Sequence, residues 1–268
     1  MIVTSIIISS LVIITATFFF VFTRGALLAR EWRGGQPQSI SHIYPVYSEN
    51  WLIKLIDFQP LISAILLFQY DKIVDSVVSE IRKSPLVNKK VLITSCAFGN
   101  AIPRIVSTSI EKGAQRVYVT DILENELRHA AGKLTKFSSK VSFIKEDATS
   151  MKQSTCSMDI NIMFFLLHEL THEVKNLAIN EAGRVVKPGG RLVIAEFHRP
   201  NSIILRAFSG AYFTVFEPYA QSIWEKYDPV RMLSEKGGWS CEKTTFFFGN
   251  FQVVVATKVA PQSVHELV

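Results

Sequence analysis

The feature that most constrains this chain is an alternation of two kinds of segment between positions 90 and 197. Segments 90–94, 116–120, 141–145, 159–166 and 191–197 are short, rich in Val, Ile, Leu and Phe, and end in polar tips. Such solid apolar runs suit strands covered on both faces. Between them, 102–112, 124–136 and 173–186 read as helices, the first ended by Gly113 and the last followed by a turn at Lys187-Pro188-Gly189-Gly190. A βαβα series predicts an α/β fold, a doubly wound, Rossmann-like and mostly parallel sheet with right-handed crossovers. In an open sheet of this kind ligands sit outside the carboxyl ends of the strands, so the polar tips are where chemistry is sought.

The 268 residues suit one such domain with appendages. The reading divides them into an apolar segment 1–23, a Gly- and Pro-containing linker 24–50, a helical segment 51–85, the α/β domain 86–258 with a helical insertion 202–235, and a tail 259–268. A closing hairpin is predicted from 244–248 and 251–257, joined by Gly249-Asn250. Ile2 to Phe22 carries no charge and has the ~20 residues that a bilayer-spanning helix needs. Arg24, Arg30 and Arg33 follow it and no basic residue precedes it, which fits an N-terminal transmembrane helix better than a cleaved signal peptide. The rest of the chain then lies on the cytoplasmic, or mitochondrial matrix, side. Residues 61–68 are very apolar but too short to span, and suit either a core helix or a surface dipping into lipid.

The net charge of +6 is partly those three juxtamembrane arginines. No basic run interleaved with aromatics occurs elsewhere, so no nucleic-acid partner is expected. Three widely spaced cysteines form neither a disulfide framework nor a zinc knuckle. Cys96 has no base paired with it in sequence and reads as a packing residue.

Three tips occur in order: Ser95 to Asn100 after the first strand, Asp121 after the second and Asp147 after the third. A carboxylate after the second strand can accept from both hydroxyls of a ribose, and one after the third from the amine of adenine. The first loop has a single glycine, Gly99, where dinucleotide folds carry three, which argues against NAD or FAD and leaves room for an adenosine ligand without a pyrophosphate, such as S-adenosylmethionine. His168-Glu169-Leu170-Thr171-His172 spells the H-E-x-x-H string of zinc proteases, with Glu196 downstream as a third ligand to consider. That chemistry requires both His on one helical face, whereas 160–167 has the composition of a buried strand delivering His168 to a loop.

The tracts Phe164-Phe165-Leu166-Leu167-His168-Glu169-Leu170, Lys187-Pro188-Gly189-Gly190, Glu196-Phe197-His198-Arg199-Pro200 and Phe216 to Trp224 resemble the rhodoquinone-biosynthesis protein family. That family lies within the class I S-adenosylmethionine-dependent methyltransferases and is related to the ubiquinone/menaquinone C-methyltransferases. The resemblance covers roughly 51–224. It implies an enzyme that converts ubiquinone to rhodoquinone by amino-for-methoxy exchange, with S-adenosylmethionine as amino donor and Mn²⁺ required. It places Ser95, Gly99, Asp121, Ile122, Asp147 and Ala148 around the cofactor and a polyprenyl quinone as substrate. The chain departs from the family pattern at Asn100, Thr171, Glu196 and Phe197, where an acid, Pro, Asp and Tyr are usual.

His168, Glu169, His198 and Glu217 are then the expected catalytic groups around the quinone head, and His168, Glu196 and His198 the expected Mn²⁺ ligands. A structural His168 bonded to a backbone carbonyl is the plainer alternative. Two other functions stay open at this stage: a methyltransferase acting on a quinone or another lipid, and a non-catalytic, membrane-anchored scaffold of the same fold.

Overall fold

The computed structural model describes residues 50–260, together with Ile6, Ser9, Ser10, Val12, Ile13, Ile14, Ala16 and Thr17, which are helical. The rest of the predicted anchor 1–23, the linker up to 49 and the residues from 261 onward lie outside the described residues. Among the described residues no helix is long and apolar enough to cross a membrane.

From residue 50 onward the chain runs through three helices, α1 (Asn50–Ile56), α2 (Gln59–Ile65) and α3 (Tyr70–Arg82). Pro60 stands in the first turn of α2, where its missing N–H costs nothing. In α3, Ile73, Val74, Val77, Val78 and Ile81 recur at helical spacing and are all buried. The alternating region follows: β1 (Lys90–Thr94), α4 (Ala101–Glu111), β2 (Arg116–Asp121), α5 (Glu124–Lys133), β3 (Val141–Lys145), β4 (Met158–Phe164), α6 (His172–Val185) and β5 (Val186–Phe197). The insertion holds α7 (Ile203–Phe216), a 3₁₀ turn Ala220–Trp224 and α8 (Pro229–Lys236), before β6 (Trp239–Phe246) and β7 (Phe251–Lys258). Asp228 caps α8, its Oδ1 accepting from the N–H groups of Val230 and Arg231, with Pro229 in the first turn.

The seven strands lie in the order β3-β2-β1-β4-β5-β7-β6. β1 to β5 are mutually parallel, and β7 runs antiparallel between β5 and β6. The chain moves outward from β1 to β3 and then returns to lay β4 on the other side of β1. That reversal opens a crevice at the carboxyl ends of β1 and β4. Alternate strand residues face two cores. Val91, Ile93, Ile160, Ile162, Val193 and Ala195 pack toward α3, α4 and α5, while Leu92, Met163, Leu192 and Ile194 pack toward α6 and α8. The predicted Rossmann-like sheet is thus the observed one.

Two local expectations differ. Lys187-Pro188-Gly189-Gly190 is not a turn before the fifth strand but an irregular stretch within β5, whose register against β4 jumps between Met158 and Ile160. Asp159 anchors it, its Oδ2 accepting from Lys187 Nζ and from the Lys90 N–H. The closing hairpin begins earlier than expected, at Trp239. Its loop is Phe247 to Asn250, with positive φ at Phe247, Phe248 and Gly249, in place of a two-residue turn.

Candidate active site

The crevice divides into two chambers that share Ser95 and Asp121. The first carries Thr94, Ile122, Glu146, Asp147 and Ala148 at the tips of β1, β2 and β3, and its far wall is apolar, formed by Leu166, Leu170 and Val174. The second is also mostly apolar. Ile56, Ile62 and Leu66 of the N-terminal helices roof it, Phe164, Phe165 and Phe197 form its floor, and Tyr212 and Glu217 close it from the α7 side. Four of its polar residues are acidic, Asp121, Glu126, Glu169 and Glu217, and His168 lies among them.

Asp121 organises the first loop. Its Oδ2 accepts from the Cys96 N–H at 2.7 Å and its Oδ1 from the Leu123 N–H at 2.8 Å. An ionised carboxylate has about four acceptor positions, so each oxygen keeps capacity for a ligand hydroxyl. Burial pushes the Asp121 carboxyl up, opposed by the N–H groups of Leu123, Cys96 and Ile122. Ser95 sits at φ +84°, a strained conformation for a residue with a side chain, where the chain turns from β1 across the cleft. Asp147 accepts from the N–H and hydroxyl of Thr149, both at 2.8 Å.

Gly99 does not line either chamber. It lies behind the loop at φ +74°, where an added Cβ would fall 2.6 Å from the Tyr70 hydroxyl. That hydroxyl donates to Phe98 O and accepts from the Ala101 N–H. Asp57, at the end of α1, accepts from the Gly99 N–H and from Lys133 Nζ, each at 2.7 Å. Lys133 also donates to Gly99 O. Gly99 therefore shapes the loop through packing and hydrogen bonds instead of lining the site.

His168 stands in a 3₁₀ turn, Leu167–Glu169, at the tip of β4. Glu196, fully buried at the end of β5, lies 3.1 Å from its Nδ1. Glu196 also accepts from the N–H groups of Phe197 and His168, so the carboxylate is held from three directions. Burial alone would lower the His168 pKa, but the Glu196 carboxylate outweighs it, with Glu169 and Glu217 adding to the effect, and the group is raised to about 9. With Nδ1 committed to Glu196, Nε2 is the nitrogen left for other partners. Glu169 Oε1 is 3.8 Å from it. The ring packs edge-on against Phe197 at 5.0 Å.

Lys175 secures this turn. It is fully buried on α6 and donates to Leu170 O and Tyr219 O, joining the His168 loop to the segment after α7. Burial lowers its pKa to about 8, the Glu196 carboxylate opposing. Its ammonium also lies 5.7 Å from the Tyr219 ring centroid and 5.8 Å from that of Tyr227.

Of the expected groups, the structure brings Ser95, Asp121, Ile122, Asp147 and Ala148 to the first chamber and His168, Glu169 and Glu217 to the second. His198 is not among them. Its Nδ1 is 2.7 Å from Gly249 O and its Nε2 faces Lys243, so it fastens the β6–β7 turn. The expected Mn²⁺ set of His168, Glu196 and His198 is therefore not assembled. Among the described residues no group of three His, Cys, Asp or Glu side chains is placed to hold a metal ion. The residues do not fit Mn²⁺, and no step is assigned to it. His172 opens α6 and stacks on Tyr227 at 5.2 Å, so the H-E-x-x-H string is split between a 3₁₀ turn and a helix.

Sequence reasoning overlooked Asp57, Glu126, Lys175 and Tyr212. Glu126 and Lys175 carried a readable signal, since each charged residue interrupts the buried stripe of its helix, Leu127 and Ala130 on α5 and Ala178, Ile179 and Ala182 on α6. Asp57 and Tyr212 carried none, because their partners come from distant segments.

The acceptor set suits an adenosine ligand: two carboxylates at successive strand tips, and beside them a buried Glu146 whose Oε1 has no partner. Residues 58–242, more than half of the chain, match the ubiE/COQ5 methyltransferase family. The ubiquinone/menaquinone biosynthesis C-methyltransferase UbiE of Pseudomonas aeruginosa is 31% identical over 122 residues, 44% of this chain and 47% of that protein. Its counterpart in Teredinibacter turnerae is 30% identical over 123 residues, 45% of this chain and 49% of that protein. The chain spans about half the length of the curated relatives it matches. Among solved structures, a SAM-dependent methyltransferase from Aquifex aeolicus superposes with a TM-score of 0.54 at 20% identity, covering 79% of this chain and 99% of that one. The magnesium protoporphyrin IX methyltransferase of Synechocystis PCC 6803 with bound SAH gives 0.53 at 18% identity, covering 70% and 83%. These two establish the fold. The match over 58–242 goes further: the chain belongs to the ubiE/COQ5 methyltransferase family, whose cofactor is S-adenosylmethionine.

Proposed function

We propose that this chain is an S-adenosylmethionine-dependent transferase that modifies the ring of a polyprenyl quinone, exchanging a methoxy group for an amine. The observation that supports it is the pairing of the two chambers across Ser95 and Asp121. The first suits a nucleoside, whose ribose hydroxyls would donate to Asp121 and whose adenine would lie between Asp147 and the apolar wall. The second suits a quinone ring, offering the faces and edges of Phe164, Phe165, Phe197 and Tyr212 beside a single imidazole.

When bound, S-adenosylmethionine would supply the amine through cleavage of its own C–N bond, and the methoxy group displaced from the ring would leave with a proton as methanol. The chain's own residues orient the ring and move protons. With a pKa near 9, His168 is protonated at neutral pH, and its Nε2–H can hydrogen-bond to a quinone carbonyl and deliver a proton as charge builds there. Glu196 fixes the ring orientation and balances the charge from behind. Glu169 and Glu217 stand at the same chamber and bias it toward cationic groups.

A lipid substrate is supported by α7. Its Tyr212 lines the chamber while Ile203, Ile204 and Phe208 on the same helix are 77%, 68% and 72% exposed. The uncharged run from Ile2 to Phe22, followed by Arg24, Arg30 and Arg33, would hold the domain at the cytoplasmic or matrix face of the membrane where such a substrate resides. C-methylation of the quinone is the second reading, favoured by the relatives that carry that name. The test is incubation of the full chain in detergent with S-adenosylmethionine, with and without added Mn²⁺, and either ubiquinone or an analogue that has one unsubstituted ring carbon, followed by mass spectrometry. A ubiquinone product with one more nitrogen and one fewer methoxy group supports amino exchange. A methyl group added to the analogue supports the second reading, and no change in either quinone refutes both.

A further inference from the structure

We propose that the Glu126 carboxyl group on α5 is the receptor for the α-ammonium group at the amino-acid end of S-adenosylmethionine, a contact that rests on the cofactor reading above. Glu126 is only 3% exposed, yet it lines the second chamber, and its Oε1 has no hydrogen-bond partner. An orphaned acceptor in such a place is costly, and the neighbouring positions on its helix face are Leu127 and Ala130. A polar atom held without a partner at the wall of a binding chamber is explained if the partner arrives with the ligand.

The surroundings define that ligand. Asp121 and Glu169 act on Glu126 from the same chamber, and burial together with those two charges raises its pKa to about 9. The nearby cation, Lys133, is already engaged with Asp57 and Gly99 O. The His168 imidazolium is committed at Nδ1 to Glu196, so among the described residues neither cation reaches Glu126 Oε1. A metal ion does not answer the need, because the carboxyl groups do not converge on one coordination point among the described residues. An organic cation spread over the chamber does. The empty Oε1 needs an N–H donor. A sulfonium has none and an ammonium has three.

Placement follows from the shared wall. A nucleoside lying in the first chamber with its ribose at Asp121 must send its amino-acid end past Ser95 and Asp121, the two residues common to both chambers, and so toward Glu126. The first loop supplies no alternative, since Ser95 to Asn100 contains no acid and Asp57 behind it is occupied by Lys133 and the Gly99 N–H.

The experiment is calorimetric titration of the detergent-solubilised full chain, wild type and E126Q, with two ligands. S-adenosylhomocysteine keeps the ammonium, and methylthioadenosine keeps the nucleoside and thioether but lacks the amino-acid end. The expected result is a loss of roughly 10- to 100-fold in S-adenosylhomocysteine affinity in E126Q, the scale of one charge-assisted hydrogen bond, with methylthioadenosine binding changed by less than about twofold. Equal losses for both ligands, or no loss for either, would overturn the assignment while leaving the cofactor reading intact. Failure of the wild type to bind either ligand would instead sink the cofactor reading. Glu126→Met provides the folding control: without ligand it should melt at or above the wild-type temperature, and a lower melting point would show that Oε1 is not an orphan.

Discussion

Replacing Glu196 with Gln keeps the shape of the buried side chain and removes its charge, so it isolates what the carboxylate does for His168. In the wild type the imidazole moves from the ordinary value of 6.5 to about 9, against the effect of its own burial. At about 1.4 kcal/mol per pH unit, that difference corresponds to on the order of 3 kcal/mol of folding stability. The sign follows from proton counting. Between 6.5 and about 9 the folded protein holds a proton on His168 that the unfolded chain has released. The contribution is complete below pH 6.5 and is lost as the pH rises through 9. Glu196→Gln should therefore cost about 3 kcal/mol at pH 6.5, and the gap between variant and wild type should narrow steadily toward pH 9.5. Urea unfolding at a series of pH values measures the gap, and taking the difference cancels groups such as Glu126 that titrate in both proteins. NMR titration of the His168 ring reads the same event directly. A gap that stays constant from pH 6.5 to 9.5, or a wild-type ring that titrates near 6.5, would refute the charged dyad and with it the proton-donor role.

Three further perturbations follow from the geometry. Asp121→Asn removes the charge that holds the Cys96 and Leu123 N–H groups and faces the nucleoside chamber, and should weaken S-adenosylhomocysteine binding roughly 10-fold or more by calorimetry. Gly99→Ala forces a Cβ to within 2.6 Å of the Tyr70 hydroxyl at φ +74°, and should cost on the order of 2 kcal/mol in urea unfolding, with part recovered by adding Tyr70→Phe. Lys175→Met leaves Leu170 O and Tyr219 O without their donor and should cost about 2 kcal/mol or more near neutral pH. Because the Lys175 pKa is lowered in the folded state, to about 8, the wild type should gain stability from this group between pH 8 and its ordinary 10.5, a gain the variant lacks.

Much of the fold was legible because it rests on local periodicity. Apolar runs such as Val91 to Ile93 and Ile162 to Leu167 are too short and too uniformly hydrophobic for exposed helices, and their alternation with helical stripes leaves few topologies open. The tips Asp121 and Asp147 were legible for the same reason, since the end of a strand locates a side chain at the ligand-binding edge whatever the rest of the chain does. His198 failed by that same logic. It follows β5 as Asp121 ends β2, but the β6–β7 turn folds back over it and Gly249 O takes its Nδ1. The Mn²⁺ set failed with it, because metal ligation requires three side chains to converge within a few ångströms, a condition that spacing along the chain does not express.

The sequence by itself determined the sheet, the order of its ligand-facing tips and the charge-free character of the N-terminal run, all read from local segments of roughly twenty residues or fewer. Only the tertiary structure decided that Glu196 backs His168, that Lys175 ties Leu170 to Tyr219, and that Glu126 lies on the chamber wall with an empty acceptor. Each of these depends on desolvation and on partners brought from distant parts of the chain. A carboxylate exposed to water and one enclosed by phenylalanines are the same letter in a sequence, and only packing separates them.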